Sequence, residues 1–303
     1  MSASKTAIIT GGASGMGLAV AQSLKAKGGW DIHLFDLNPA SGQAAADSLS
    51  ATFHKVDVTN YDSLGAAFKA AYSKHERLDF VFANAGIAEP GSFYERHDEI
   101  GDGVPPPPKL HVVRILYDAV ITTSHLAQHY FRLSPKDIDK NLVMTASCGA
   151  LYPSYFSALY CGAKHGVLGF MRAIAKPLWH QEGIRVNAVC PGTVKTALLT
   201  RDEWTFVGDD LFTPVEKIAE VVMILVDGKD TMAAEMTRID GEPQEEREGI
   251  LWGEAIEVSG DNHYYRERSK YCDAKMAAVM KNTYITQLPG DESAREVNAV
   301  LDK

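Results

Sequence analysis

The stretch "IITGGASGMG", residues 8–17, decides how this chain is read. An apolar run, "KTAIIT" (5–10), leads into it, and a helical pattern over 15–28 leads out. Between them Gly11, Gly15 and Gly17 permit a tight turn, with Ser14 and Met16 inside it, that lets backbone N–H groups approach a ligand. The start of the next helix lies behind the turn, and a helix N-terminus favours anions. Strand, glycine turn and helix in this order make a cradle for a pyrophosphate. The alternative is a glycine turn that binds nothing, and the rest of the chain decides between the two.

Working outward, short apolar runs alternate with longer helical patterns. The runs 5–10, 30–35, 52–58, 78–84, 141–147, 184–190 and 254–260 read as strands, the first six apolar nearly throughout, as buried parallel strands are. Helical patterns cover 15–28, 40–50, 60–75, about 108–132, 154–180 and 213–227. Strict alternation predicts an α/β protein: a doubly wound parallel sheet of about seven strands with helices on both faces. Residues 1–260 then form one dinucleotide-binding and catalytic domain. Residues 261–303 form a tail, with a helix near 269–282, that packs on the body or on a neighbouring subunit. Two further segments break the rhythm: the loop "AEPGSFYERHDEIGDGVPPPPK" (88–109) and a charged insertion within 229–253.

Bulk properties narrow the function. The chain has 303 residues, 46% of them apolar, and a formal charge of −9. It carries no basic stripe, which argues against nucleic acid. No apolar run approaches the roughly 18–20 residues that cross a bilayer. The first residues lack a signal-peptide pattern, and four scattered cysteines form no CxxC pair, so reduced thiols and a cytoplasmic location are expected. Metal ligation would need closer His and Cys clustering than the sequence offers.

Asp36 ends the second strand, 19 residues beyond Gly17. A carboxylate there can accept hydrogen bonds from both adenosine ribose hydroxyls and would repel a 2′-phosphate. No Arg or Lys stands at Ser14, Met16, Leu37 or Asn38 to welcome one. NAD(H) is therefore expected over NADP(H). The competing reading makes Asp36 the start of a turn in "DLNP".

In "SALYCGAKHG" (157–166), Tyr160 and Lys164 stand four apart on a helix of small residues and share a face. A tyrosine of pKa ~10 is a poor base near neutrality. A neighbouring ammonium stabilises the phenolate, so the pair could move a proton. An exposed Tyr/Lys couple on an amphipathic helix is the plain alternative.

Taken together, "TGGASGMG" (10–17), "DV" (57–58), "NAG" (84–86), Ser147, Tyr160-x-x-x-Lys164 and "NAVCPGTVKT" (187–196) resemble the short-chain dehydrogenase/reductase family over residues 5–260. "LAQHYF" and "AIEVSGDNHYYR" are similar to its 15-hydroxyprostaglandin dehydrogenase-like branch and fungal relatives. The resemblance implies a Rossmann-type fold and a Ser147, Tyr160, Lys164 catalytic set. Tyr160 would be the general acid/base, Lys164 would also hold the nicotinamide ribose, and Ser147 would hold the substrate oxygen. It places Asp57 and Val58 at the adenine, and Asn84, Ala85 and Gly86 along the adenosine. Pro191 and Gly192 would turn at the nicotinamide, and Val194 would meet its carboxamide. Thr196 would bind the carboxamide or the pyrophosphate, or else cap a helix. The family commonly forms dimers through the Tyr/Lys helix and the 108–132 helix, so a homodimer or homotetramer is expected.

The chain departs from the family in "RILYDAV" (114–120), where Leu116 stands at the position of a customary asparagine. In the family this helix is kinked, and a main-chain carbonyl there holds a water that passes protons to the lysine. Leu116 keeps the carbonyl and loses the amide that steadies the kink. Tyr152, Tyr155, Phe156, Leu198, Leu199, Trp204, Phe206 and Phe212 give the expected substrate region an apolar, aromatic cast. The leading expectation is an NAD-dependent dehydrogenase of a hydrophobic secondary alcohol or ketone. The alternatives are a cofactor-binding protein with impaired turnover, and a biosynthetic isomerase or cyclase using the same pocket.

Overall fold

The computed structural model describes residues 4–198, 208–230, 238–239 and 249–283. Its strands are β1 (Lys5–Thr10), β2 (Trp30–Asp36), β3 (Thr52–Lys55), β4 (Phe80–Ala83), β5 (Lys140–Thr145), β6 (Ile184–Pro191), β7 (Arg238–Ile239), β8 (Ala255–Ser259) and β9 (Asn262–Arg266). Among the described residues they form one sheet in the order β3-β2-β1-β4-β5-β6-β8-β9-β7. Every pairing from β3 across to β8 is parallel. The order reverses between β1 and β4, and a crevice opens beyond the strand ends at such a switch point.

The helices are α1 (Gly15–Lys27), α2 (Pro39–Leu49), α3 (Tyr61–Ser73), α4 (His111–Val113), α5 (Ala119–Leu133), α6 (Ala158–Glu182), α7 (Val215–Asp227) and α8 (Ala274–Lys281). Val20 and Leu24 of α1, Ala46 of α2 and Leu225 of α7 share one core with Ile9 and Phe82. Phe68 of α3, Phe131 of α5 and Met171 of α6 share another with Ile8 and Val81. Alternate residues of β1 and β4 thus feed opposite faces, as the two-residue period of a strand requires. β4 and β5 are buried along their whole length, which is why β4 and the middle of β5 read as apolar runs without alternation.

Local chemistry sets the boundaries. Asn38 accepts from the N–H groups of Ala40 and Ser41 at 3.0 and 3.2 Å, and Pro39 takes the first helical position of α2. Asn60 caps α3 through Ser63 N–H at 2.9 Å. The third strand, expected to run to 58, stops at Lys55 because Asp57 starts a turn, accepting from Thr59 N–H at 2.9 Å.

The sheet also continues past the expected boundary at residue 260. β9 pairs antiparallel with β8 through a two-residue turn in which Gly260 has φ 56°. The boundary at 260 therefore falls inside a hairpin, and the tail's first residues belong to the sheet. The signal was "SGDN" (259–262), a glycine-containing hairpin turn. The helix expected over 269–282 is α8. Within 229–253, residues 231–237 and 240–248, which hold most of the charged insertion, lie outside the described residues.

Candidate active site

A cleft of about 330 Å³ lies at the switch point. Gly11, Ser14, Gly15, Met16, Asp36, Asp57, Val58, Asn84, Ala85, Gly86, Tyr160, Lys164 and Thr196 all line it. The structure thus gathers residues spread over 186 positions of sequence, from Gly11 to Thr196, onto one wall.

The cradle end is built on close backbone approach. A Cβ on Gly17 would lie 2.2 Å from the Gly11 carbonyl oxygen, so no side chain fits there. Gly15 has φ 51° and stands under Thr196, whose Cγ2 a Cβ would meet at 3.1 Å. Ser14, at the N-cap of α1, makes no side-chain bond to the first turn. The orphan N–H groups there therefore keep no local side-chain partner and face the ligand side, as a pyrophosphate would need. On this observation the residues present fit a dinucleotide.

At the other end Asp36 makes the turn bond and also reaches into the glycine loop. One carboxylate oxygen accepts from Asn38 N–H at 3.1 Å, a turn bond, and the other from Ala13 N–H at 3.0 Å, inside the glycine loop. The bonds fix the carboxylate at the cleft and leave further lone pairs on each oxygen. Leu37 is exposed beside it. Lys164, at the far end, is the one cation among the described lining residues.

Asn84 lines the cleft but spends its side chain on the fold. Its amide donates to the Thr10 carbonyl at 3.2 Å, and its oxygen accepts from the Thr145 hydroxyl at 3.0 Å. It pins β1, β4 and β5 together at the crevice.

Tyr160 and Lys164 lie in the first turns of α6, with the Lys164 Nζ 5.7 Å from the centre of the tyrosine ring. Lys164 is 3% exposed, and its ammonium donates to the Thr145 carbonyl at 2.7 Å. Burial pulls its pKa down to about 8. The expected lowering of the Tyr160 pKa is reversed: burial of the phenol raises it, while the Ser147 hydroxyl beside it pulls the other way. Sequence spacing brings Lys164 near but does not report how dry the site is. Ser147 accepts from Gly149 N–H at 3.0 Å, which leaves its own O–H to donate. The Tyr/Lys pair is no exposed couple.

Five expected residues stand behind the cleft wall rather than in it. Gly17 packs on Gly11, and Ser147 sits beside Tyr160. Pro191, Gly192 and Val194 serve a knot at the ends of β6 and β8. Gly192 N–H donates to the Val258 carbonyl at 2.8 Å, Thr213 N–H donates to the Thr193 carbonyl at 2.7 Å, and Val194 is buried in the core. The loop after β6 turns back onto the sheet there, so these residues support the wall without lining it.

The stretch around Leu116 holds the kink without the customary asparagine. Residues Arg114–Asp118 form a π-helical turn between α4 and α5, a feature that concentrates at functional sites. Leu116 is 1% exposed and clusters with Val112 and Ala163, and a Cβ on Gly86 would meet its Cδ2 at 3.1 Å. Apolar packing between the loop after β4 and α6 replaces the amide.

The aromatic wall is less of a pocket than expected. Tyr155 is 79% and Phe156 80% exposed, on the approach to α6. Tyr152 donates to Glu257 at 3.2 Å and lies under the Arg266 guanidinium. Leu198 lines the cleft, and Leu199, Trp204 and Phe206 lie outside the described residues. Among the described residues no helix is long and apolar enough to cross a membrane, and no group of His, Cys, Asp and Glu could hold a metal ion.

A doubly wound sheet, a glycine cradle at its switch point and a Tyr/Lys pair with a buried ammonium define a dinucleotide-dependent oxidoreductase architecture. Residues 5–204 match the description of the short chain dehydrogenases, and the chain belongs to the short-chain dehydrogenase/reductase family. It is 42% identical to the short-chain dehydrogenase/reductase prx7 of Penicillium rubens, over 91% of this chain and 98% of that one. It is 30% identical to the short-chain dehydrogenase/reductase ascJ of Acremonium egyptiacum, over 84% of each. A solved actinorhodin polyketide ketoreductase variant with NADPH is 25% identical and superposes with a TM-score of 0.63, covering 74% of this chain and 90% of that one.

Proposed function

We propose that this protein transfers a hydride between NAD(H) and a hydrophobic secondary alcohol or ketone, with Tyr160 as general acid/base. The observation that carries the reading is the pairing of the half-buried Tyr160 with the buried Lys164 on the wall of the cleft, with Ser147 beside the phenol. When bound, the nicotinamide supplies the hydride donor or acceptor. In reduction Ser147 donates to the substrate carbonyl oxygen and Tyr160 gives it a proton. In oxidation Tyr160 takes the proton of the carbinol hydroxyl. Burial holds the phenol protonated, which suits the acid role in reduction. The fit to a polycyclic ketone follows the exposed Tyr155 and Phe156 and the likeness to a polyketide ketoreductase.

Further parts of the reading are the cytoplasm, for a protein with free cysteines, and a homodimer or homotetramer packed through α5 and α6. Gly162 and Gly169 leave open space on the outer face of α6 for a second copy. Residues 1–260 with the β8–β9 hairpin make the catalytic domain. "AIEVSGDNHYYR" is that hairpin, and its likeness keeps the 15-hydroxyprostaglandin dehydrogenase-like branch as our placement within the family.

The test is nicotinamide absorbance during oxidation of 1-indanol, with NAD and NADP compared. NAD is expected to win. Asp36→Ala removes the carboxylate that faces a 2′-phosphate and should lower the NAD-over-NADP preference in kcat/KM about tenfold. An unchanged ratio would remove Asp36 from cofactor selection.

The π-helical turn at Leu116 supports unimpaired turnover over the alternative. Because the π turn already stands on apolar contacts, Leu116→Asn should change kcat by less than about threefold while lowering thermal stability, since it buries an amide among apolar side chains. A large gain in kcat would mean the native relay is handicapped.

A further inference from the structure

Glu89 occupies a place that no feature of the cofactor site requires. It lies in the loop after β4, and its Oε2 accepts from the backbone N–H of Tyr160 at 2.8 Å, 71 residues away in sequence. That N–H is among the orphan donors in the first turn of α6. A helix normally meets this need locally, through its N-cap side chain. Here the N-cap residue, Ser157, makes no capping bond. Its hydroxyl pairs with Ser154 at 2.6 Å instead. The local cap has been given up and its work taken over by the loop on the substrate side.

The second carboxylate oxygen sharpens the point. Glu89 Oε1 is buried and has no hydrogen-bond partner. A buried acceptor left unmade is costly, and a fold that only needed a helix cap would not carry one. The same loop supplies Asn84, Ala85, Gly86 and Ile87 to the cleft. Ile87 packs on the cluster of Leu116 and Ala163 together with Leu159 and Tyr160. One short segment thus touches cofactor wall, kinked helix and the residue that moves the proton.

We infer that Glu89 is a positioning residue: it ties the loop after β4 to Tyr160, so that the phenol is aligned only when that loop is seated. The inference rests on the reading of Tyr160 as general acid/base. A reacting group loses rate steeply when a contact that aligns it is cut, because small misplacements forfeit alignment. Glu89 is not among the residues that line the cleft, so cofactor affinity should not follow.

Two measurements test it. Hydrogen exchange of the Tyr160 amide needs no substrate. It should be at least about tenfold faster in Glu89→Ala than in wild type, with 164–182 unchanged. Glu89→Gln keeps an acceptor oxygen and should keep the protection. Turnover of 1-indanol with NAD should fall about tenfold or more in kcat in Glu89→Ala, with a displaced pH profile, an unchanged Kd for NADH and recovery in Glu89→Gln. Adding Ser157→Asp to Glu89→Ala restores a local cap. It should restore amide protection but not kcat. Equal amide exchange in wild type and Glu89→Ala, equal loss in Ala and Gln variants, or recovery of kcat by the local cap would each overturn the proposal. Inactive wild type with a protected Tyr160 amide would instead remove the dehydrogenase reading and leave the tie standing.

Discussion

Tyr160→Phe should abolish turnover and leave the protein otherwise intact. The loss in kcat should be about a thousandfold, within the range that general acid–base catalysis supplies. The ring is packed with Leu159, Ile87 and the Leu116 cluster, and phenylalanine keeps those contacts. The Ser147 hydroxyl beside the phenol keeps its bond from Gly149 N–H when the phenol oxygen is removed. NADH binding, followed by fluorescence, should stay within about twofold, because the change removes a proton-transfer group rather than a binding one. Turnover of 1-indanol with NAD gives kcat. Wild-type activity in the variant would sink the acid/base role. Loss of NADH binding would show instead that Tyr160 holds the cofactor.

The residues behind that prediction were legible in the sequence to differing degrees, for a physical reason. Gly11 to Gly17 and the apolar strands are local signals. Each needs only a few neighbouring residues, and the glycine turn and most of the strands stand close to where the sequence puts them. The Tyr160–Lys164 pairing is likewise local, fixed by helix geometry. What the sequence hides is tertiary. Spacing places Lys164 near Tyr160 but does not show how far the site shields them from water, and that shielding reverses the expected direction of the tyrosine shift. Val194 and Gly192 match a motif yet serve the β6–β8 knot, because the path of the loop after β6 is set by Thr213 and Val258. Glu89 carries no local mark at all, since its partner lies 71 residues on. Leu116 removes the amide that would steady the kink, and what the sequence does not show is the π-helical turn packed on Gly86 and Ala163 in its place.

The same dryness makes Lys164 an expense to the fold, so Lys164→Met should inactivate the enzyme and stabilise the cofactor-free protein near neutrality. Burial takes the ammonium from an ordinary 10.5 to about 8. That difference corresponds to about 3 kcal/mol of destabilisation wherever the group is charged in both states. The bond to the Thr145 carbonyl offsets it, and losing that bond costs about 1 kcal/mol. At pH 7 the variant should therefore be more stable by about 2 kcal/mol. The sign reverses with pH. Between about 8 and 10.5 the unfolded chain binds a proton that the folded chain has released, so wild-type stability rises with pH across that window. Methionine does not titrate, and its advantage shrinks through the same range. Above it only the lost Thr145 bond remains, and wild type should be the more stable of the two. Urea unfolding at pH 7 and pH 10.5 checks both ends. A variant less stable than wild type at pH 7 would mean that Lys164 is held by interactions stronger than its burial cost, and that the site is built around the charge rather than in spite of it.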